Sequence, residues 1–283
     1  MIKLGFHMSI AGSVANAPRS AIASGYNAFQ MFVTSSRSWK HSEIRAADSN
    51  EFRRLVSGGG LAAYAHIPYL CNPSSTNKEM HGKSVHMLVD NMRNCEQLGV
   101  QYLVVHIGSH LGKGLKYGIA NTSKALESGL ASSGKVMVLL ENTAGYTNSV
   151  GSKFDEIAEI IDGVGSKRVG MCLDTCHTFA AGYDLRTDSS VAGVMDELDS
   201  TVGLGKVKLV HLNDAKYGLG SHLDRHWHLG KGYIGRGGFL ALFRNGALNR
   251  CGFIMETPVI SAGDEKMNYD FASSVIREAG LEV

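Results

Sequence analysis

The chain has 283 residues, 28 lysines and arginines against 26 acidic residues, and a formal net charge of +2. That balance excludes a strongly basic nucleic-acid coat while leaving room for a local basic patch. With 44% hydrophobic and 19% charged residues it is neither disordered nor membrane-embedded, and its length suits two average domains or one large α/β barrel.

In chain order, an apolar, β-rich run at 2–6 is followed by a helix-like segment at 13–24, and a run at 28–32 by a helix at 48–57. The pattern repeats with 61–65 and 79–98, 102–106 and 118–132, and 136–140 and 152–162. It closes with 169–173 and 189–200, 207–211 and 237–244, and 252–256 and 269–279. Helical spacing is clearest at 79–98, where Val85, Leu88, Val89, Met92 and Cys95 recur every three or four residues. Ser152, Lys153, Phe154, Asp155 and Glu156 place an N-cap and an acidic first turn ahead of an apolar stripe. These alternations, with no linker-like stretch between them, predict a closed (β/α)₈ TIM barrel forming a single domain over 1–283, with an open doubly wound sheet as the alternative.

No stretch approaches the roughly 18 apolar residues of a membrane span. The first five residues, MIKLG, also lack a signal pattern, so a soluble, cytoplasmic protein is expected. Cys71, Cys95, Cys172, Cys176 and Cys251 form no CxxC pair and read as reduced thiols. Nothing suggests an apolar interface stripe, so a monomer is expected.

The residues that end the predicted strands, or follow them at once, are His7, Met31 or Phe32, His66, His106, Glu141, Asp174, His211 and Glu256. Any one of these is as readily a hydrogen-bonded loop residue. Seven acidic or imidazole groups together, at the strand ends where parallel barrels carry their chemistry, point to one shared site. Carboxylates and imidazoles gathered in one mouth need a compensating cation, so a metal site follows. His177 lies one helical turn after Asp174, and Asp224 and His226 are two residues apart in a loop. This mixture of ligands suits Zn²⁺, Mn²⁺ or Fe²⁺. Cys172 and Cys176 are expected to be structural, with Cys172 in the barrel wall or helix layer.

Three familiar patterns carry little weight. Residues 230–235 fit GxGxxG but follow a polar loop instead of a strand. Gly82-Lys83-Ser84 lacks the upstream glycine of a phosphate-binding loop, because position 77 is asparagine. Asn121-Thr122-Ser123 is a glycosylation sequon without a secretory context.

Longer segments carry a resemblance. The stretches 141–145 (ENTAG), 174–184 (DTCHTFAAGYD), 211–214 (HLND), 224–226 (DRH), 255–258 (METP) and 5–12 (GFHMSIAG) resemble the endonuclease IV family of apurinic/apyrimidinic endonucleases. The resemblance implies a (β/α)₈ barrel with three divalent ions, usually zinc, with manganese or iron able to occupy part of the set. It implies that His66, His106 and Glu141 hold a first ion. Glu141 is shared with a second ion on Asp174, His211 and Glu256, and His177, Asp224 and His226 hold a third. The implied reaction is hydrolysis of the phosphodiester 5′ to an abasic site in duplex DNA, leaving a 3′-hydroxyl and a 5′-deoxyribose phosphate. Glu141 and Glu256 are its catalytic carboxylates, and Glu256 also orients or deprotonates the water.

Arg37, Tyr69 and Leu70 match positions that penetrate the base stack, and shape-based recognition with a flipped abasic nucleotide is expected. Lys40, Lys113, Lys116, Lys216, Arg225, Lys231 and Arg236 are expected to form a phosphate-binding rim. Ala215 stands where the family usually has serine, and His222 replaces a basic residue. The rival readings are a sugar isomerase or epimerase on a similar barrel and a metal-dependent DNA-binding module without turnover. The set His177, Asp224 and His226 argues against the sugar enzyme, which has no need of a third ion.

Overall fold

The computed structural model describes the whole chain except residues 36–37 and 40–42. Its strands are β1 (Lys3–Met8), β2 (Ala28–Phe32), β3 (Ala62–His66), β4 (Tyr102–His106), β5 (Met137–Glu141), β6 (Val169–Asp174) and β7 (Val207–His211). After them come a two-residue pair, β8 (Asp214–Ala215) and β9 (His226–Trp227), and the last strand, β10 (Gly252–Met255). The helices are α1 (Asn16–Ala23), α2 (Ala46–Gly58), α3 (Lys78–Leu98), α4 (Leu115–Ala131) and α5 (Phe154–Val164). They continue with α6 (Thr175–Ala180), α7 (Asp188–Thr201), α8 (Gly235–Asn245) and α9 (Asp264–Glu278).

Eight strands run parallel in the closed order β1-β10-β7-β6-β5-β4-β3-β2, so the barrel holds and the open sheet does not. Side chains alternate across each strand, and that alternation builds two separate apolar layers. Ala28, Tyr64, Val104, Leu139, Cys172, Leu209 and Ile254 pack against one another inside the barrel. Their neighbours Phe29, Ala65, Val105, Leu140, Leu173, Val210 and Phe253 face outward into the helix layer. Cys172 therefore sits in the barrel interior and not in the helix layer, because it shares the parity of Gly170 and Asp174 on β6. All five cysteines are free and buried.

The helices owe their ends to local chemistry. Asn77 caps α3 by accepting from the Met80 N–H at 3.0 Å, and Gly99, at φ 74°, ends it in the left-handed conformation. Helix α9 starts at Asp264, earlier than periodicity alone suggests. The Asp264 carboxylate accepts from the backbone of Ile260 and Ser261 and so organises the turn that leads into the helix. Neither α6 nor the β8–β9 pair was expected, since both are too short to show a period. Among the described residues no helix is long and apolar enough to cross a membrane.

Candidate metal centre

The strand parity that places Tyr64, Val104, Leu139, Cys172 and Leu209 inside the barrel places the residues two positions later one layer higher. Those residues are His66, His106, Glu141, Asp174 and His211, at the carboxyl ends of β3 to β7. Glu256 directly follows β10 and completes the ring. Glu141, Asp174 and His211 are fully buried, and His66 nearly so.

Three groups of ligand atoms converge there: His66, His106 and Glu141; Glu141, Asp174, His211 and Glu256; and Asp174, His177 and His226. Glu141 lies 3.1 Å from His66 Nε2 and 3.4 Å from His106 Nδ1 through Oε2, and 3.1 Å from His211 Nδ1 through Oε1. His211 Nδ1 is also 3.4 Å from Glu256 Oε2. In the third group, His226 Nε2 is 3.3 Å from Asp174 Oδ2 and 3.4 Å from His177 Nε2. Asp224 joins it from the rim, with Oδ1 3.0 Å from His177 Nε2 and 3.6 Å from His226 Nε2. The nine residues named from the sequence thus come together, and Asp174 stands between the second and third groups.

Short-range structure holds these donors in place. The Asp174 carboxylate caps α6 by accepting from the His177 N–H at 2.8 Å, which lifts His177 to the rim one turn later. Its other oxygen accepts from Asn213 Nδ2 at 2.8 Å, while Asn142 Oδ1 accepts the Asp174 N–H. Most of the imidazoles turn their second nitrogen to an acceptor. His66 Nδ1 donates to the Ile67 carbonyl at 2.6 Å, His177 Nδ1 to the Asn142 carbonyl at 2.9 Å, and His226 Nδ1 to the Glu256 carbonyl at 3.3 Å. Because a carbonyl only accepts, each of these rings is left with an unprotonated Nε2 toward the cluster when a cation binds.

Electrostatics point the same way. Burial alone would raise the pKa of Glu141, but His106 and His211 hold it well below the ordinary range. Glu256 is likewise depressed against its burial, chiefly by His211 and the hydrogen bond with His7. Burial opposes a proton on His177, yet Asp174, Asp224 and Glu141 raise it to about 10, and His211 is raised well above its usual value. The buried carboxylates Glu141 and Glu256 thus stay ionised, and the acidic surroundings hold protons on His177 and His211. Such a donor set fits divalent cations of the zinc type, which would take the place of those protons.

The β8–β9 pair carries His226, and a further carboxylate anchors it. Asp214 Oδ2 accepts from the backbone of Gly230, Gly232 and Gly235 at 2.9, 3.0 and 3.3 Å, and Oδ1 accepts from Ile234 at 2.9 Å. The GxGxxG-like segment is therefore an anion cradle already filled from within the chain. Gly232 is required there, since an added Cβ would lie 2.4 Å from the Ala215 carbonyl and 2.5 Å from Asp214 Oδ1.

Tyr69 stands over the site, 63% exposed, its ring 5.7 Å from His66 and 5.5 Å from His106. Leu70 beside it is half-buried. A cleft of about 270 Å³ opens between Tyr69, His106, Tyr146, His177 and Asp224. Arg37 and Lys40 lie outside the described residues. Lys113, Lys216, Arg225 and Lys231 are exposed on loops at this end of the barrel, and Lys116 is exposed in the first turn of α4. Arg236 departs from the expected rim, because it pairs with Glu278 at 2.6 Å and lies over Phe271, both on α9.

Sequence reasoning missed Gln30, Asn142 and Asn213, which hold the ligands. Gln30 was visible only through parity. It shares the inward face of β2 with Ala28, whereas the strand-end rule stopped at Met31 or Phe32.

Comparison with known proteins is consistent with this geometry. Residues 18–279 match the family described as xylose isomerase-like TIM barrel. A relative from Methanoculleus marisnigri, described as a probable endonuclease 4, is 44% identical over 92% of this chain and 93% of its own length. The chain belongs to the endonuclease IV family of apurinic/apyrimidinic endonucleases. The crystal structure of endonuclease IV from Thermus thermophilus is 39% identical, with a TM-score of 0.88 over 98% of this chain and 99% of that one. A D-tagatose 3-epimerase-like protein superposes with a TM-score of 0.77 over 99% of this chain and 98% of its own, but at 17% identity it shares the fold alone.

Proposed function

We propose that this member of the family incises DNA at abasic sites. It hydrolyses the phosphodiester on the 5′ side and leaves a 3′-hydroxyl and a 5′-deoxyribose phosphate. The observation that carries this reading is the third donor group: His177, Asp224 and His226 extend an otherwise two-centred carboxylate and imidazole cluster toward the open cleft. A sugar isomerase or epimerase on the same barrel has no use for that extension.

His66, His106 and Glu141 would hold one divalent ion, Glu141, Asp174, His211 and Glu256 a second, and His177, Asp224 and His226 a third. Zinc fits this mixture of nitrogen and oxygen donors best. Bound ions supply activated water, neutralisation of the phosphate and stabilisation of the leaving oxygen. The chain's own groups do the rest. Glu141 and Glu256 stay ionised, and Glu256 is placed to orient an attacking water or take its proton. Tyr69 and Leu70, with Arg37, fill the gap in the base stack that an abasic nucleotide leaves when it swings into the cleft. The exposed lysines and Arg225 bind backbone phosphates, and the exposed Tyr117 at the start of α4 and Tyr146, Tyr217 and Tyr233 on loops add flat surface. The chain acts as a monomer in the cytoplasm, its +2 charge averaging an acidic pocket and a basic rim.

An oligonucleotide duplex with one abasic site tests the reading directly. Incision is expected with about three zinc ions per chain, to disappear on chelation and to return with added zinc, while binding weakens as salt rises. Tight binding without incision in the zinc-loaded protein would overturn it in favour of a binding module.

A further inference from the structure

Six of the eight barrel strands end in a proposed metal ligand or lead directly to one, and β1 brings His7. Strand β2 does not, and its inward residue in the same layer is Gln30, which is fully buried. Register pairs Gln30 with His7 across β1 and β2. The Gln30 amide touches three members of the site: Nε2 lies 2.6 Å from Glu256 Oε1 and 3.1 Å from His7 Nδ1, and Oε1 lies 2.9 Å from His211 Nε2.

We propose that Gln30 is a positioning residue that sets the tautomer of His211 and aims Glu256, and so tunes how tightly the ion between Glu141, Asp174, His211 and Glu256 is held. This rests on the metal reading above. A carboxylate oxygen accepts, so the amide NH₂ faces Glu256, with Nε2 donating to Oε1. The amide oxygen must then face His211, and His211 Nε2 must donate to it. That leaves Nδ1 as the free donor atom, 3.1 Å from Glu141 Oε1 and 3.4 Å from Glu256 Oε2. Glu256, engaged through Oε1, keeps Oε2 for the cluster.

His66, His177 and His226 gain the same restraint from backbone carbonyls, which no side-chain substitution removes. His211 depends on a side chain, so the tuning of this one ion is open to mutation. Outer partners of this kind carry about 10–100-fold in metal affinity.

Two variants separate positioning from mere packing. Q30M keeps the volume and removes both polar functions, while Q30E keeps an acceptor for His211 and can share a proton with Glu256. The readouts are retention of Zn²⁺ against graded chelator and the ¹⁵N signals of the His211 ring, assigned by their loss in H211Q. Q30M is expected to release one of its zinc ions about 10–100-fold more readily and to lose the Nε2–H signature. Q30E is expected to recover that signature. Wild-type retention and ring signals in Q30M would overturn the proposal, as would a Q30E protein without the signature. A wild-type protein that binds no zinc would overturn the metal reading itself, which keeps the two failures distinct.

Discussion

Glu256 sits where a ligand and a base are hard to tell apart, and its surroundings decide what its loss should do. One oxygen is engaged by Gln30 and the other faces His211, so Gln in its place would keep the shape while removing the charge. General-base groups contribute about 10²–10⁴-fold to rate. Glu256→Gln, assayed at saturating zinc, is therefore expected to lose at least that much incision with the affinity for abasic duplex unchanged. Turnover near the wild-type rate in single-turnover assays would remove Glu256 from the reaction. The neighbouring Glu141 offers no such clean test, because two donor groups share it and its loss would disturb both.

At the scale of elements, the β8–β9 pair and the glycine segment behind it form one unit around Asp214. Four backbone N–H groups of 230–235 converge on a buried carboxylate whose acidity burial has weakened despite those bonds. Asp214→Asn turns an amide donor toward some of these N–H groups. Each buried donor left unpaired costs about 1–3 kcal/mol, so a loss of about 2–4 kcal/mol in denaturant unfolding is expected. Faster amide exchange across 228–235 and weaker zinc retention at His226 should accompany it; exchange unchanged from wild type would show that the cradle does not anchor the hairpin. This unit also marks the limit of sequence reading. Strands β2, β4 and β7 were legible to the residue because their β-rich runs are sharply bounded. The six ligands at strand ends were legible because the barrel gathers them whatever the loops do. Gln30 and Asp214 were not, since the role of each depends on which distant backbone or side chain faces it. Arg236 looked like a rim cation until its partner on α9 was known.

At the scale of the molecule, the mouth of the barrel is a charge balance that protons or cations can complete. In the metal-free protein His177 faces Asp174 on β6, Glu141 on β5 and Asp224 on the turn before β9, and these raise it to about 10. A histidine with a folded pKa above its unfolded value of about 6.5 stabilises the fold fully below pH 6.5. That contribution is lost as pH rises through about 10, and His211, also raised, acts in the same sense. His7 and His106 are depressed, first by burial, so their effect is of opposite sign but is complete by about pH 6.5 and does not offset the decline above it. The metal-stripped protein is therefore expected to lose thermal stability between pH 7 and pH 10. In the zinc-loaded protein the ions take over from the protons, and the decline should be shallower. Zinc uptake at pH 7 should correspondingly release protons from His177 and His211, measurable by calorimetry in buffers of different ionisation enthalpy. Uptake without proton release would mean that the carboxylates are balanced by something other than these two rings.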